Sequence, residues 1–350
     1  NGYVSAARPD LSKVISCALR GNARPDECTG TAGAISGEPD MPTIDHRLPL
    51  VFLMGATATG KTQRACDLAV EFPLDLVSVD STLVYRGMDI GTAKPDARVL
   101  ARHPHRLIDI REPEQAYSAA DFRADALREI ADIHARGRIP LLVGGTGLYF
   151  RALERGLSEM PRADPALRER LAEEVRVYGK LHMHRKLAMC DARTAARLDA
   201  NDVQRVLRAL EVFELSGVPI SEQQGGVRGR LPWRVLKLGL VAADRSNLRL
   251  RIAERFDQML AQGLENELRS LRARPGWSAD LPSMRAGGYR QGWDWLDGKV
   301  SATDLRMHAL HATSQLAKRQ MTWLRNQMPD AVPVQHIEEI EPYLSPRPTT

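Results

Sequence analysis

Leu50-Val51-Phe52-Leu53-Met54 runs directly into Gly55-Ala56-Thr57-Ala58-Thr59-Gly60-Lys61-Thr62, and this stretch decides how the chain folds. Five apolar residues in a row are strand-sized, and the two glycines that follow bracket a tight turn. The turn fits the pattern Gly-x-x-x-x-Gly-Lys-Thr residue for residue. From Lys61 a helical pattern begins, with Ala65, Leu68, Ala69 and Phe72 on one face and Pro73 as its stop. In such a strand–loop–helix unit the glycines let backbone N–H groups converge on phosphate oxygens, and the helix N-terminus adds partial positive charge. Lys61 supplies a full charge, and the Thr62 hydroxyl is placed to hold Mg²⁺. The loop binds phosphate; it does not say which ester.

Outward from the loop, a second buried strand at Leu76–Val79 ends in Asp80-Ser81, and Leu107–Ile110 reads as a third. Ser118 with Asp121 three residues on is a capping signal for a helix through Arg136, striped by Phe122, Ala126, Ile130 and Ile133. Ile139–Val143 is a further strand and runs into Gly144-Gly145-Thr146. Strands alternating with helices predict an α/β fold, a P-loop NTPase-like parallel sheet flanked by helices. Past Leu148 the pattern changes. Asp164-Pro165 opens a helix, helical stretches continue to Ser216, and Gly217 stops them, which predicts an all-helical insertion. Val235–Val241 is strand-like again. Helices follow at about 246–262, with Ile252, Phe256, Met259 and Leu260 on one face, then at 264–274 and 301–325. The expected organisation is a core of residues 47–160 and 228–345, interrupted by a helical insertion at 161–227. Residues 1–46, broken by Pro25, Gly30, Gly33, Gly37, Pro39 and Pro42, are expected to be a disordered extension.

With 43% hydrophobic and 27% charged residues the chain is not a wholly disordered one. No apolar run approaches the roughly 18 residues that a membrane span needs. The formal charge is only +5, yet lysine supplies just 8 of the 49 basic residues. Arginine suits phosphate and stacks on bases, so this bias permits a nucleic-acid partner without requiring one. Four cysteines, too scattered for a disulfide scaffold or a paired zinc site, fit a reduced cytoplasmic setting. No dimerisation stripe stands out, and a monomer is expected.

Asp80, at the carboxyl end of a strand, is either a proton acceptor or water-mediated Mg²⁺ ligand, or else a turn cap. Ser81 and Thr82 are either capping groups or substrate contacts. Asp109 reads as structural. Gly144 to Gly147 either admits a ligand or turns the chain. Arg251 and Arg255, four apart on one helix, either close on a diphosphate from the side opposite the loop or form a solvated flank. Three basic clusters carry arginine, two of them with an aromatic, as stacking on splayed RNA bases requires, though each alone also reads as surface. They are Gln204-Arg205 with Arg208, Arg285 to Gln291 with Tyr289, and Lys318-Arg319-Gln320 with Trp323 and Arg325. His182, His184 and Cys190 lack a metal-ligand spacing.

The full set of motifs closely resembles the bacterial tRNA dimethylallyltransferase family (tRNA isopentenyltransferases). It comprises Gly55–Thr62, Ser78-Val79-Asp80-Ser81, Met88-Asp89-Ile90-Gly91-Thr92-Ala93-Lys94-Pro95, Pro104-His105-Arg106-Leu107 and Gly144-Gly145-Thr146-Gly147-Leu148-Tyr149, followed by the run Asp202–Val212 and by Arg285–Gln291. The match runs in order from about Leu50 to about Arg325. Departures are small: Ala56 replaces the usual proline, Thr59 a common serine, and Gly287 precedes Gly288 where a bulkier residue is frequent. The N-terminal extension has no family counterpart.

That resemblance implies transfer of a dimethylallyl group from dimethylallyl diphosphate to the N6 amine of the adenosine 3′ of the anticodon, with release of diphosphate. It implies that Gly55, Ala56, Thr57, Ala58, Thr59, Gly60, Lys61, Thr62 and Arg255 hold the diphosphate, with Mg²⁺ on Thr62, and that Asp80 is the general base. Catalytic roles fall to Asp80, Lys61, Thr62 and Arg255. Contacts to the tRNA anticodon arm are expected from Asp80, Ser81, Thr82, Leu83, Thr146 and Arg168. Further ones are expected from Gln204, Arg205, Val206, Leu207 and Arg208, and from Arg285, Ala286, Gly287, Gly288, Tyr289 and Arg290. Lys318, Arg319, Gln320, Trp323 and Arg325 complete the set, and the helical insertion would clasp the arm. Two other classes share the first motif. A P-loop kinase of a small metabolite would turn over ATP, and a non-catalytic RNA-binding protein would keep all function in Asp80→Ala.

Overall fold

Six consecutive buried residues, Leu50–Gly55, form β1 near the middle of a six-stranded sheet. The computed structural model describes residues 48–223, 231–241, 244–279 and 281–334. Expectations that fall on 1–46, on 224–230, on 335–345 and on the Arg285 side chain lie outside the described residues. After β1 come α1 (Lys61–Glu71), β2 (Leu74–Val79), α2 (Ala97–Arg102), β3 (His105–Arg106), α3 (Ala119–Ala135), β4 (Ile139–Gly144) and α4 (Gly147–Arg155). Then four helices follow without a strand: α5 (Pro165–Cys190), α6 (Ala192–Ala195), α7 (Val203–Ser216) and α8 (Ile220–Gln223). The described residues end with β5 (Val235–Leu240), α9 (Arg245–Ala261), α10 (Leu264–Arg272), a 3₁₀ turn at Pro282–Arg285, α11 (Tyr289–Leu296), α12 (Ala302–Gln327) and β6 (Val332–Val334).

All strand pairs are parallel, in the order β3-β2-β4-β1-β5-β6. Parallel strands need both faces covered, and β1 shows how this is met. Leu50, Phe52 and Met54 pack with Ile130 of α3 and Phe150 of α4, and the Phe52 and Phe150 rings lie 5.0 Å apart. Val51 and Leu53 face Ala65 and Leu68 of α1. Burying each such side chain is worth about 1.5–3 kcal/mol. From β1 the chain passes over β4 to reach β2, while β5 lies on the other side, so the carboxyl ends of the strands open into a crevice.

The helical segment has its own apolar cluster, with Leu171, Met183, Leu187, Val206 and Leu210 at its centre. Asp164 caps α5 by accepting the Leu167 N–H at 2.9 Å, Pro165 takes the first turn, and Gly217 ends α7 at φ 71°. Helix α5 breaks at Gly179 (φ 79°, ψ 164°). Glu211, only 1% exposed, accepts from Arg168 at 2.8 Å, Arg208 at 2.6 Å and the Asp164 N–H at 3.0 Å.

Two sequence expectations are corrected. The third strand is His105–Arg106, not Leu107–Ile110, because Leu107 (φ 65°) and Asp109 (φ 55°) turn left-handed. Their backbone is satisfied elsewhere: the Asp109 and Ile110 N–H groups donate to Leu83 and Val84. Leu260 is 38% exposed and leaves the buried face of α9. Asp109 is structural, as read, and pairs with the buried Lys94. His184 Nε2 faces the Ala195 and Leu198 carbonyls, and no metal-binding cluster of histidine, cysteine or acidic residues occurs among the described residues.

Candidate active site

The loop between β1 and α1 is built as its sequence requires. Gly60 takes φ 85°, a conformation that a side chain would strain, and it leads directly into the helix at Lys61. The Thr59 hydroxyl donates to the Ala56 carbonyl at 2.8 Å, and Lys61 Nζ donates to the same oxygen at 2.6 Å. Burial lowers the Lys61 ammonium to about 8; the nearby Asp80 opposes this and Arg255 reinforces it. Such a group is poised to gain from an arriving anion.

Helix α9 supplies the opposite wall. Arg255 Nη2 donates to Thr57 Oγ1 at 2.7 Å. Burial also pulls the Arg255 guanidinium below its ordinary value, with Asp80 raising it and Arg251 lowering it. Arg251 lies one turn earlier, and its Nη2 would be 3.2 Å from a Cβ on Gly60. From α12, Gln320 Oε1 accepts the Thr57 N–H at 2.8 Å, and its amide donates to Gly145 O at 3.1 Å. The recess so enclosed measures about 420 Å³ and is lined by Gly60, Lys61, Thr62, Arg251 and Arg255.

A larger cavity of about 700 Å³ adjoins it. Its apolar wall comes from Ile252, Phe256, Met259, Leu316 and Trp323; its polar wall includes Ser81, Thr82, Thr146 and Thr313, with Arg151, Arg205 and Arg319. Thr57, Asp80, Thr92, Gly145, Arg255 and Gln320 line both spaces. Asp80 therefore stands where a cation-rich recess meets a half-apolar cavity. Its Oδ1 accepts from the Thr82 N–H (2.8 Å) and hydroxyl (2.7 Å), so the capping role is real but takes one oxygen. Oδ2 accepts no hydrogen bond among the described residues. Ser81 N–H donates to Thr146 Oγ1 at 3.1 Å, tying the ends of β2 and β4 together. At Gly147 a Cβ would sit 2.2 Å from the Trp323 ring, so only glycine lets α12 approach this corner.

The basic clusters divide. Arg205 and Arg319 reach the large cavity, as do Ala286 and Gly287. Gln204, Arg290, Lys318 and Arg325 are exposed away from it, and Leu207 is half-buried. Leu83 lines the small recess. Five residues expected at the RNA surface are placed otherwise. Val206 belongs to the insertion's core, Arg168 and Arg208 spend their guanidinium groups on Glu211, and Tyr289, with Gly288 beside it, is buried. Tyr289 has no exposed surface with which to stack on a base, and its hydroxyl donates to Glu267 at 2.6 Å. Arg151 and Thr313 carry no sequence signal of their own, and Thr92 stands out only as part of the Met88–Pro95 motif. Periodicity puts Ile252, Phe256 and Met259 on one helix face, but it cannot distinguish a core face from a cavity wall.

Residues 83–327 match a family model described as IPP transferase. The chain is 58% identical over 279 residues to the tRNA dimethylallyltransferase of Alkalilimnicola ehrlichii, spanning 80% of this chain and 88% of that one. It is 55% identical over 278 residues to the enzyme of the same name from Thiobacillus denitrificans, covering 79% and 89%. Among solved structures it is similar to the full-length tRNA isopentenylpyrophosphate transferase of Bacillus halodurans (TM-score 0.62, 37% identity, covering 84% and 95%). A eukaryotic dimethylallyltransferase acting on tRNA shares the fold (TM-score 0.67, 23% identity, covering 84% and 76%).

Proposed function

The chain belongs to the tRNA dimethylallyltransferase family, whose members transfer a dimethylallyl group to tRNA, and we propose that it does so by holding a departing diphosphate on the Gly55–Thr62 loop. The donor is dimethylallyl diphosphate and the acceptor is the N6 amine of the adenosine 3′ of the anticodon. The observation that carries this reading is the position of Asp80, on the wall common to the recess and the cavity.

The allylic C–O bond breaks, and its electron pair leaves on the diphosphate. Loop N–H groups, Lys61, Arg251 and Arg255 face that growing charge already in place, which is where preorganised donors lower a barrier most. The amine nitrogen forms the new C–N bond and becomes acidic as it does so. Asp80 takes the proton on Oδ2 while Thr82 keeps Oδ1 fixed; positioned bases of this kind contribute about 10²–10⁴-fold. On α9, Ile252 and Phe256 directly follow Arg251 and Arg255, and Met259 lies one turn beyond Arg255, so one helix reads the donor from charged head to apolar tail. Thr62 lines the recess, and its hydroxyl is the oxygen that would hold Mg²⁺ shared with a diphosphate and water. When bound, the ion would neutralise charge on the leaving group.

The target base must leave the anticodon stack, at a cost of a few kcal/mol that contacts elsewhere offset. Arg151 of α4, Arg205 of α7 and Arg319 of α12 converge on the large cavity from three elements, and the helical insertion clasps the anticodon arm. One chain lines both spaces, which supports a monomer as the working unit. Free thiols at Cys66 and Cys190 suit a reducing cytoplasm, and no helix among the described residues is long and apolar enough to cross a membrane.

The test is incubation of the purified chain with dimethylallyl diphosphate and unmodified tRNA, with mass spectrometry of the digested nucleosides. One dimethylallyl adenosine per modified tRNA, with equimolar diphosphate, is expected. Turnover of ATP with free nucleosides and none with tRNA would overturn it.

A further inference from the structure

The Met88–Lys94 motif has no part in the chemistry above, yet it borders both spaces. Thr92 lines each of them, Gly91 the larger and Ala93 the smaller. The segment belongs to no helix or strand, and Ala93 is held left-handed at φ 56°. A non-glycine residue stays there only when its surroundings dictate it. Here they are supplied by Glu267 of α10. Its Oε2 accepts the N–H groups of Asp89 (2.9 Å) and Ile90 (2.7 Å), and its Oε1 accepts the N–H of Gly91 (3.1 Å) and the hydroxyl of Tyr289 (2.6 Å).

Three successive N–H groups form a concavity that ordinarily takes a bound anion, and in this fold an internal carboxylate fills it. Tyr289 presses the same segment from behind: a Cβ on Gly91 would lie 2.6 Å from its ring. Burial and the adjacent Glu267 carboxylate raise the Tyr289 phenol well above its ordinary range, so it remains a donor. At the far end the buried Lys94 ammonium holds Tyr85 O (2.8 Å) and the carboxylates of Asp89 and Asp109. Two motifs far apart in sequence, Met88–Lys94 and Arg285–Gln291, thus meet on Glu267.

We infer that Glu267 is a positioning residue for the transfer reaction: with Tyr289 it locks Met88–Lys94 as the rigid wall common to the diphosphate recess and the acceptor cavity. This rests on the transfer reading above. Glu267 touches no reacting atom; it acts through the backbone of Asp89 to Gly91. A loosened wall misplaces both reactants, and small misplacements of this kind cost up to about 100-fold in rate.

The test compares Glu267→Gln and Tyr289→Phe with the wild-type chain. The second variant keeps the buried ring and removes one donor, so it decides the matter if the first fails to fold. In Glu267→Gln, amide hydrogen exchange at Asp89 to Gly91 should accelerate while β4 and α1 keep wild-type protection. Its kcat/KM should fall about 10- to 100-fold for both substrates, and Tyr289→Phe should move the same way by less. Accelerated exchange with kcat and both KM values within about twofold of wild type would overturn the inference, as would unchanged exchange. The transfer reading fails separately. If the wild-type chain does not prenylate tRNA, binding of an unreactive dimethylallyl diphosphate analogue still reports the wall: weaker binding in the variants supports it, equal binding refutes it.

Discussion

Gln320 accepts the Thr57 N–H at 2.8 Å across a sequence separation of 263 residues. The shape of the phosphate loop therefore depends on α12, and through the second Gln320 bond on the end of β4 as well. Local sequence explains how the loop can turn; a distant side chain explains where it stays.

Gln320→Leu removes both bonds and leaves the Thr57 N–H without its partner. A lost buried hydrogen bond costs about 1–3 kcal/mol. Affinity for a diphosphate ester should fall about tenfold or more, read by calorimetry, with the thermal midpoint of unfolding lowered by about a few degrees. Unaltered affinity would show that the loop needs no support from α12.

Lys61 gives a pH dependence with a definite sign. Its folded value is about 8, below the ordinary 10.5, so the unfolded chain holds more protons between the two. The ligand-free fold is burdened by the buried charge below about 8, and stability gained from neutral Lys61 grows as pH rises towards 10.5. Lys61→Met should therefore be the more stable protein at the lower pH, with the difference in thermal midpoint shrinking through that window. Diphosphate-ester affinity should run the other way, weakening in the wild type above about 8 and staying flat in the variant. A midpoint difference independent of pH would contradict this.

Much of this geometry was legible in advance, and the exceptions have physical causes. The Leu50–Thr62 unit could be read because a buried run, two glycines and a striped helix all agree locally. Leu107–Ile110 has the same apolar look as a strand, but hydrogen bonds to Leu83 and Val84 turn it, and no local pattern encodes a distant partner. Helix α2 is six residues long and buries none of them, so it leaves no stripe. Tyr289 sits in a basic cluster that resembles an RNA surface, and its burial follows from packing against Gly91. Gln320 was singled out, but for RNA; its hold on Thr57 spans nearly the whole fold.

Glu211 is a structural counterpart to these site residues. Burial alone would raise its carboxyl, but hydrogen bonds from Arg168, Arg208 and the Asp164 backbone outweigh burial and hold it below the usual 4.5. Its stabilising effect is fully present above that value and is lost as pH falls through the depressed one. Glu211→Leu orphans the N–H that opens α5 and unpairs two half-exposed arginines, so unfolding stability should drop by about 2–4 kcal/mol in denaturant titration. Diphosphate binding should be unaffected, since Glu211 lines neither space.

Asp80→Asn keeps the Oδ1 bonds from Thr82 but removes the proton acceptor. Single-turnover transfer should slow by about 10²–10⁴-fold while tRNA affinity stays near wild type. Parallel loss of tRNA binding would mean that the carboxylate serves recognition instead.

The central claim is that the phosphate loop grips a leaving group while carbon changes hands. It is tested most directly with dimethylallyl diphosphate carrying heavy oxygen at the position that bridges carbon and phosphorus. After turnover with tRNA, mass spectrometry should find all of the label in the released diphosphate and none in the dimethylallyl adenosine. Label retained on the organic product, or phosphate attached to the acceptor, would contradict the account.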